Sequence, residues 1–290
     1  MLMANSWYED LNAYIRLREP KLKKKAAAWQ TAIGLQAVDG LSVSDYLLKT
    51  AKENIEGKIT DKEANAQISN YYEDCCDRYA IEAGTKEADI VAGRIAALLV
   101  EKTFSFTPAF WMYVHRYLFK DVFTHAGKIR TYNIYKNEWV LNGKSVFYAS
   151  YDSIPMTMEY DFKTEAAFSY KNLSKDDIRR HLAQFTSDIW QIHPFGEGNT
   201  RSTAVFIIKY LNSLGYSISN EAFAKYSWYF RNALVRANYN DLPNGVHATT
   251  VYLEKFFENL LYNGNNEIKN RYLHVVLHKV APVMERGLKS

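Results

Sequence analysis

The chain has 290 residues, of which 48% are hydrophobic and 23% are charged, enough to bury the core of one large domain or of one domain with an appendage. Its formal net charge is only +4, and Lys and Arg are spread along the chain, which argues against a nucleic-acid-binding surface. The cysteines, Cys75 and Cys76, are adjacent, so they give neither a disulfide framework nor the spacing of metal ligands. No signal peptide or membrane span is evident, which predicts a cytoplasmic protein without a membrane partner.

Residues 1 to 84 predict a series of helices with short breaks. Ser44 or Asp45 is placed to cap one helix. Thr60 and Glu63 have the spacing of a capping box, which predicts that another helix begins there. The first part of the chain is therefore expected to be helical throughout.

From Thr85 the sequence has the pattern of a helical core. Apolar residues recur at helical spacing from Ile90 to Leu99, and Pro108 opens a second such segment that runs to Leu118. His115 lies within this second segment. We interpret it as a packed core or helix-surface histidine, not as a ligand or a base.

A β-hairpin is predicted next. Trp139-Val140-Leu141 and Ser145-Val146-Phe147-Tyr148 flank Asn142-Gly143, a dipeptide that favours the type I′ turn. A lone hairpin is only marginally stable unless another part of the protein packs on it or pairs with its edge.

One short loop lies between two segments with helical periodicity. Residues 178–192 and 205–214 carry apolar side chains at helical spacing, and Gly215 follows as a C-terminal cap. Between them the sequence reads His193-Pro194-Phe195-Gly196-Glu197-Gly198-Asn199-Thr200-Arg201. The pattern predicts helix, tight loop, helix, with several chemically active groups in the loop.

The loop has the features of an anion site. Gly196 and Gly198 allow positive φ and let a ligand approach the backbone closely. The backbone amides of Gly198, Asn199 and Thr200 would point outward where the following helix begins, and a helix N-terminus attracts anions. Arg201 adds a guanidinium fork for a second phosphate.

The loop also contains a carboxylate and a base. Glu197 would repel a neighbouring phosphate unless a divalent cation such as Mg²⁺ lies between them. His193 is the remaining proton acceptor, with an intrinsic pKa suited to deprotonating a hydroxyl near neutral pH. Together these groups predict attack of an external hydroxyl on a Mg²⁺-bound nucleotide.

The loop resembles the active-site loop of the Fic (Fido) family, whose general form is His-x-Phe-x-[Asp/Glu]-Gly-Asn-Gly-Arg-x-x-Arg. The residues that match are His193, Phe195, Glu197, Gly198, Asn199 and Arg201. Thr200 stands where Gly is usual, and Ala204 stands where the second Arg is expected. In the family that Arg holds the far end of the triphosphate. Polar residues of the 227–240 segment, among them Arg231, are candidates to replace it.

The resemblance also implies a regulatory role for one glutamate. Fic proteins of one class carry an antitoxin-type helix with the pattern [Ser/Thr]-x-x-x-Glu-[Gly/Asn], whose Glu pairs with the second Arg and blocks productive ATP binding. Glu56-Gly57 match the last two positions, whereas Lys52 stands at the Ser/Thr position and Ala204 replaces the partner Arg. Glu56 is thus a candidate inhibitory residue. The alternative is an exposed Glu ahead of a Gly helix cap.

The fold implied by the resemblance is all-α: a Fic helical core with a small β-hairpin flap and an N-terminal helical appendage. The expected divisions are an antitoxin-like segment at 1–84, the catalytic core at 85–265 and a helical tail at 266–290. In the family, the flap clamps an extended segment of the target by strand addition, which makes Val146, Phe147 and Tyr148 candidate target-binding residues. A covering flap without a peptide role is the alternative.

The expected activity is protein adenylylation, in which AMP from ATP is attached to a Ser, Thr or Tyr hydroxyl of a target protein. The resemblance assigns His193 as the base, Glu197 as the Mg²⁺ ligand, and the remaining loop residues to the nucleotide: Phe195, Gly196, Gly198, Asn199, Thr200 and Arg201. Alternatives are removal of AMP, use of another nucleotide, or a nucleotide-binding regulatory module with weakened catalysis. The target protein and the oligomeric state, with a homodimer as one option, are left open.

Overall fold

Helices form nearly all the regular structure of residues 6–17, 19–73, 83–218 and 220–275, the part of the chain that the computed structural model describes. The helices are α1 (Ser6–Arg16), α2 (Pro20–Gly34), α3 (Asp45–Ile55), α4 (Asp61–Glu73), α5 (Ala83–Val100), α6 (Pro108–Phe119), α7 (Ile154–Ala167), α8 (Lys175–Ile192), α9 (Asn199–Ser213), α10 (Asn220–Ala237) and α11 (Val251–Tyr262). Within these ranges there is no β-strand, only an isolated bridge between Asp241 and Val246. The expectation of an all-α fold is confirmed.

The caps predicted from sequence begin two of the N-terminal helices. The Ser44 hydroxyl accepts a hydrogen bond from the Leu47 amide at 3.0 Å and so caps α3. At the start of α4 the Thr60 amide donates to the Glu63 carboxylate at 2.7 Å, and the Glu63 amide donates to the Thr60 hydroxyl at 3.2 Å. This reciprocal pair is a capping box.

The N-terminal helices pack directly on the rest of the protein. Helix α2 lies against α5 and α10, and one cluster of buried apolar side chains includes residues from Leu11 to Val275. At Gly34, a Cβ atom would lie 2.4 Å from the Ala224 carbonyl oxygen, so glycine is required where α2 and α10 approach each other.

The central helices α8 and α9 bury an aromatic core. Trp111 of α6, Phe162 of α7 and Phe206 of α9 pack against one another, and Trp111 and Phe206 are completely buried. Burial of large aromatic side chains is a major source of folding free energy. Because α8 and α9 are fixed by this core, the loop that joins them starts and ends on rigid elements.

The predicted hairpin does not form its strands. Asn142 and Gly143 have positive φ values of 56° and 84°, as a type I′ turn requires, but Trp139–Leu141 is a 3₁₀-helix. The carbonyl of Val140 accepts a hydrogen bond from the Val275 amide at 2.8 Å instead of pairing with the following segment. Burial of Val140 and Leu141 in the core therefore overrides the local strand preference.

No helix in the described ranges is both long and apolar enough to span a bilayer. Cys75 and Cys76, and residues 276–290 of the expected C-terminal tail, lie outside the described residues.

Candidate active site

His193 ends helix α8 and has the geometry of a neutral base. Its backbone is left-handed, with φ 47° and ψ 58°. Its Nδ1 lies 2.9 Å from the Trp190 carbonyl oxygen, which can only accept, so Nδ1 carries the proton and Nε2 keeps its lone pair. Burial, and next the positive charge of Lys136, lower the pKa of His193 well below its ordinary value near 6.5. The imidazole is therefore neutral at pH 7.

The predicted flap segment lies over this histidine. The ring of Tyr148 packs on the imidazole with 4.1 Å between ring centroids. The carbonyl of Phe147 accepts a hydrogen bond from Gln191, and the Ala149 amide donates to the Gln191 carbonyl, so the segment follows the end of α8. Of the three predicted target-binding residues, Val146 is buried, Tyr148 contacts His193, and Phe147 is 85% exposed.

Tyr148 is held by a buried ion pair. Its hydroxyl donates to the Glu138 carboxylate at 3.1 Å, and Arg231 binds both oxygens of the same carboxylate. Burial raises the pKa of Tyr148 far above its usual value, so the phenol stays protonated. Because a buried carboxylate needs a paired cation, Arg231 is committed to Glu138 in this structure.

Glu197, the predicted metal ligand, is paired with a lysine. The Lys136 ammonium lies 3.0 and 2.9 Å from the two carboxylate oxygens of Glu197. Mg²⁺ prefers the same carboxylate oxygens. The residues present therefore do not fit a divalent cation at Glu197 while Lys136 holds this position.

The loop backbone is braced from both sides. The Asn199 side chain accepts from the Phe195 amide at 2.9 Å and donates to the Phe195 carbonyl at 2.7 Å, which closes the turn. Phe195 stacks on the His115 ring at 3.7 Å. His115 accepts from the Gly127 amide, so its other nitrogen donates to the Glu197 carbonyl at 2.9 Å. The interpretation of His115 as a core residue is correct, and it also fixes the loop.

The glycines act in two different ways. Gly198 has the expected positive φ of 76°, and a Cβ atom there would lie 2.4 Å from the Phe119 ring. The φ of Gly196 lies outside the left-handed region, contrary to expectation. A Cβ atom there would lie 2.8 Å from the hydroxyl at the end of the exposed Tyr132 side chain, which can move aside, so the need for glycine is weaker than at Gly198.

Helix α9 begins at Asn199, as expected, so its first backbone N–H groups have no partner within the helix and can serve an anion. The unusual Thr200 accepts a hydrogen bond from the Trp190 indole at 3.0 Å through its side chain. Its hydroxyl thus ties α9 to α8, a contact that glycine could not make.

Arg201 faces the N-terminal helices. Its guanidinium donates to Glu87 at 2.6 Å and to Gln36 at 3.1 Å, and its Nε forms an ion pair with Asp39 at 2.7 Å. The side chain is only 2% exposed. Two carboxylates thus occupy the guanidinium that the sequence assigns to a phosphate, and that assignment stays a prediction.

Glu56, the candidate inhibitory residue, has its partners among the N-terminal residues. Glu56 is exposed at the end of α3, where its carboxylate binds the Tyr14 hydroxyl and pairs with Lys58. Its inhibitory role stays a prediction that these contacts do not support.

Sequence reasoning missed two residues of the site, Lys136 and Arg130. The Arg130 side chain donates to the His193 carbonyl at 2.8 Å and its amide donates to the Pro194 carbonyl at 2.8 Å. Backbone carbonyl partners cannot be identified from a sequence. Lys136 lies just before the predicted hairpin and carries no motif of its own.

Comparison with known proteins supports the resemblance. Residues 105–211 match the model of the Fic/DOC family, which confirms the Fic-type region expected from the loop. The protein adenylyltransferase VbhT of Bartonella schoenbuchensis is 28% identical over 105 residues, which are 36% of this chain and 21% of VbhT. The chain therefore spans about a fifth of the length of this relative.

Two solved structures match part of the chain. The N-terminal Fic domain of Bep8 from Bartonella sp. 1-1C gives a TM-score of 0.48 at 16% identity, covering 63% of this chain and 88% of that domain. The N-terminal Fic domain of a Bartonella effector protein from Bartonella sp. AR 15-3 gives 0.46 at 17% identity, covering 68% and 83%.

Proposed function

We propose that this protein transfers AMP from ATP to a hydroxyl group of a target protein. The match to the Fic/DOC family and the similarity to a protein adenylyltransferase support this class of reaction. The observation that carries the proposal is the state of His193. Its Nδ1 is engaged by the Trp190 carbonyl and its pKa is lowered, so a neutral imidazole presents Nε2 as the proton acceptor.

The proposed step is a direct displacement at the α-phosphorus. The target hydroxyl gives its proton to His193 Nε2, and its oxygen forms a bond to the α-phosphorus of ATP. The bond from that phosphorus to the bridging oxygen breaks, and pyrophosphate leaves with the electron pair. The N-terminus of α9 would bind the phosphates through backbone amides.

The target would bind along the flap segment beside α8. Phe147 is exposed there, next to the Tyr148 ring that contacts His193. An exposed aromatic side chain close to the base is a suitable anchor for a target segment.

The test uses ATP labelled on either the α- or the γ-phosphate, incubated with the purified protein and a cell lysate as a source of hydroxyl groups. We expect the added protein to increase labelling from α-labelled ATP above that of lysate alone and to leave labelling from γ-labelled ATP, which the kinases of the lysate produce, unchanged, because AMP and not the terminal phosphate is transferred. Intact mass measurement of the purified protein with each of the common ribonucleoside triphosphates tests nucleotide choice.

The matched variants are His193→Ala and His247→Ala, an exposed histidine outside the loop. Loss of a general base should reduce transfer by about 100-fold or more, whereas His247→Ala should transfer like the wild type. Equal labelling by His193→Ala and wild type, or γ-phosphate labelling that rises with the added protein, would contradict the proposal.

A further inference from the structure

Four cationic side chains lie close to the loop, and their partners differ. Arg130 is buried, and its side chain donates to backbone carbonyls, that of His193 among them. Arg201 is bound to Asp39 and Glu87 in the interior, and Arg231 is bound to the fully buried Glu138. Glu138 is fully buried and Asp39 and Glu87 are partly exposed, and each of these carboxylates would lose its paired cation if the arginine turned to a ligand.

Lys136 has a different environment. Its only ion-pair partner within the described ranges is Glu197, a residue of the loop itself. The Lys136 side chain is 22% exposed and that of Glu197 is 53% exposed. Ion pairs of this exposure contribute roughly 0–1 kcal/mol, so the ammonium can exchange its partner at little cost.

The backbone of Lys136 is attached to the segment that covers His193. Its amide donates to the Ser145 hydroxyl at 3.2 Å. Its charge is close enough to His193 to disfavour the protonated imidazole. Lys136 thus pairs with the loop carboxylate and acts electrostatically on the base.

The ammonium also does what a divalent cation would do at this carboxylate. It binds both oxygens of Glu197 and cancels the charge that would otherwise repel a phosphate. Lysine is an effective phosphate ligand as a point charge. Ala204 supplies no charge at the position of the second family Arg, so a cation from elsewhere is needed.

We propose that Lys136 is a nucleotide-binding residue whose ammonium contacts the phosphates from beside Glu197, so that nucleotide binding does not depend on a divalent metal at that carboxylate. This inference rests on the proposed function, because it takes the loop to bind a nucleoside triphosphate. The carboxylate of Glu197 then orients the lysine and is not free to ligate metal.

The test measures binding without turnover, by calorimetry with α,β-methylene ATP, in excess EDTA and in excess Mg²⁺. The test variant is Lys136→Met. The matched control is Lys144→Met, because Lys144 lies eight residues further along the chain and its ammonium pairs with Asp241 instead of with the loop. We expect wild type and Lys144→Met to keep Kd in EDTA within about threefold of Kd in Mg²⁺. Lys136→Met should bind about tenfold more weakly in EDTA, since a charge-assisted phosphate contact is lost.

Added Mg²⁺ should restore much of the affinity of Lys136→Met, because Glu197 is then free to ligate it. Wild-type binding that is present in Mg²⁺ but lost in EDTA, or Lys136→Met binding in EDTA as tight as that of Lys144→Met, would overturn this inference alone. No binding by any variant in either condition would overturn this inference and the proposed function together. Thermal unfolding of both variants checks that the fold is intact.

Discussion

The loop has two sides that differ in burial although both are charged. On the inner side, Arg201 is 2% exposed and faces Asp39 and Glu87 from the N-terminal half of the chain. On the outer side, Glu197 is 53% exposed and faces Lys136, which lies just before the flap segment. Only three residues separate Glu197 from Arg201 in the sequence.

This difference in burial determines which charged side chains can bind a ligand. A buried ion is stable only with its partners, because removing either partner leaves an unsolvated charge. An exposed pair is worth little and can be exchanged for a phosphate or another ion. The inner pair therefore fixes the loop to the N-terminal helices, and the outer pair is available for chemistry.

Arg201→Ala should have the largest effect on stability. It breaks the buried ion pairs, and because Asp39 and Glu87 are partly exposed we expect a loss of about 3 kcal/mol in the free energy of unfolding, at the low end for buried pairs. Urea denaturation measures it. The control is Arg16→Ala, which removes an exposed pair with Glu9 and should change little. Equal stability of the two variants would mean that the inner side is not a structural contact.

His115→Phe should have the next largest effect. The phenyl ring can stack on Phe195, but the Gly127 amide and the Glu197 carbonyl lose their partner, which should cost about 2 kcal/mol. Chemical denaturation at pH 7 measures this loss. A variant as stable as the wild type would show that the loop is not braced by this histidine.

The same variant should change how stability depends on pH. Burial lowers the pKa of His115 to about 3 from an ordinary value of 6.5, so between these values the unfolded chain binds more protons than the folded protein. Stability contributed by neutral His115 is present above pH 6.5 and is lost as pH falls toward 3. His193 contributes with the same sign. We therefore expect denaturation midpoints of His115→Phe to fall less between pH 7 and pH 4.5 than those of the wild type.

Tyr148→Phe should have a smaller effect. It removes the hydrogen bond to Glu138 but keeps the ring on His193, and loss of a bond to a charged group should cost about 1.5 kcal/mol, the low end for such bonds. Denaturation curves of Tyr148→Phe and Tyr151→Phe, a more exposed tyrosine of the same region, provide the comparison. Identical losses in both would show that Glu138 does not depend on this hydroxyl.

Lys136→Met should change stability least, by less than about 1 kcal/mol, because its pair with Glu197 is exposed to solvent. A loss as large as that of Arg201→Ala, measured under the same conditions, would remove the distinction between the two sides of the loop.

The sequence by itself determined the local features of this protein. It identified the helix, loop and helix around residues 193–201, the Ser44 cap and the Thr60–Glu63 capping box, since each depends on residues within a few positions of one another. It also identified the turn at Asn142-Gly143, where both residues adopt positive φ.

Tertiary structure decided the rest. Residues Trp139–Leu141, the first predicted strand beside that turn, form a 3₁₀-helix because Val140 and Leu141 pack in the core. Arg201 meets Glu87 across 114 positions of sequence, and Lys136 meets Glu197 across 61. Contacts at such separations depend on how helices pack, which no local pattern encodes, so only the folded chain decides which charges of the loop are buried and which can meet a ligand.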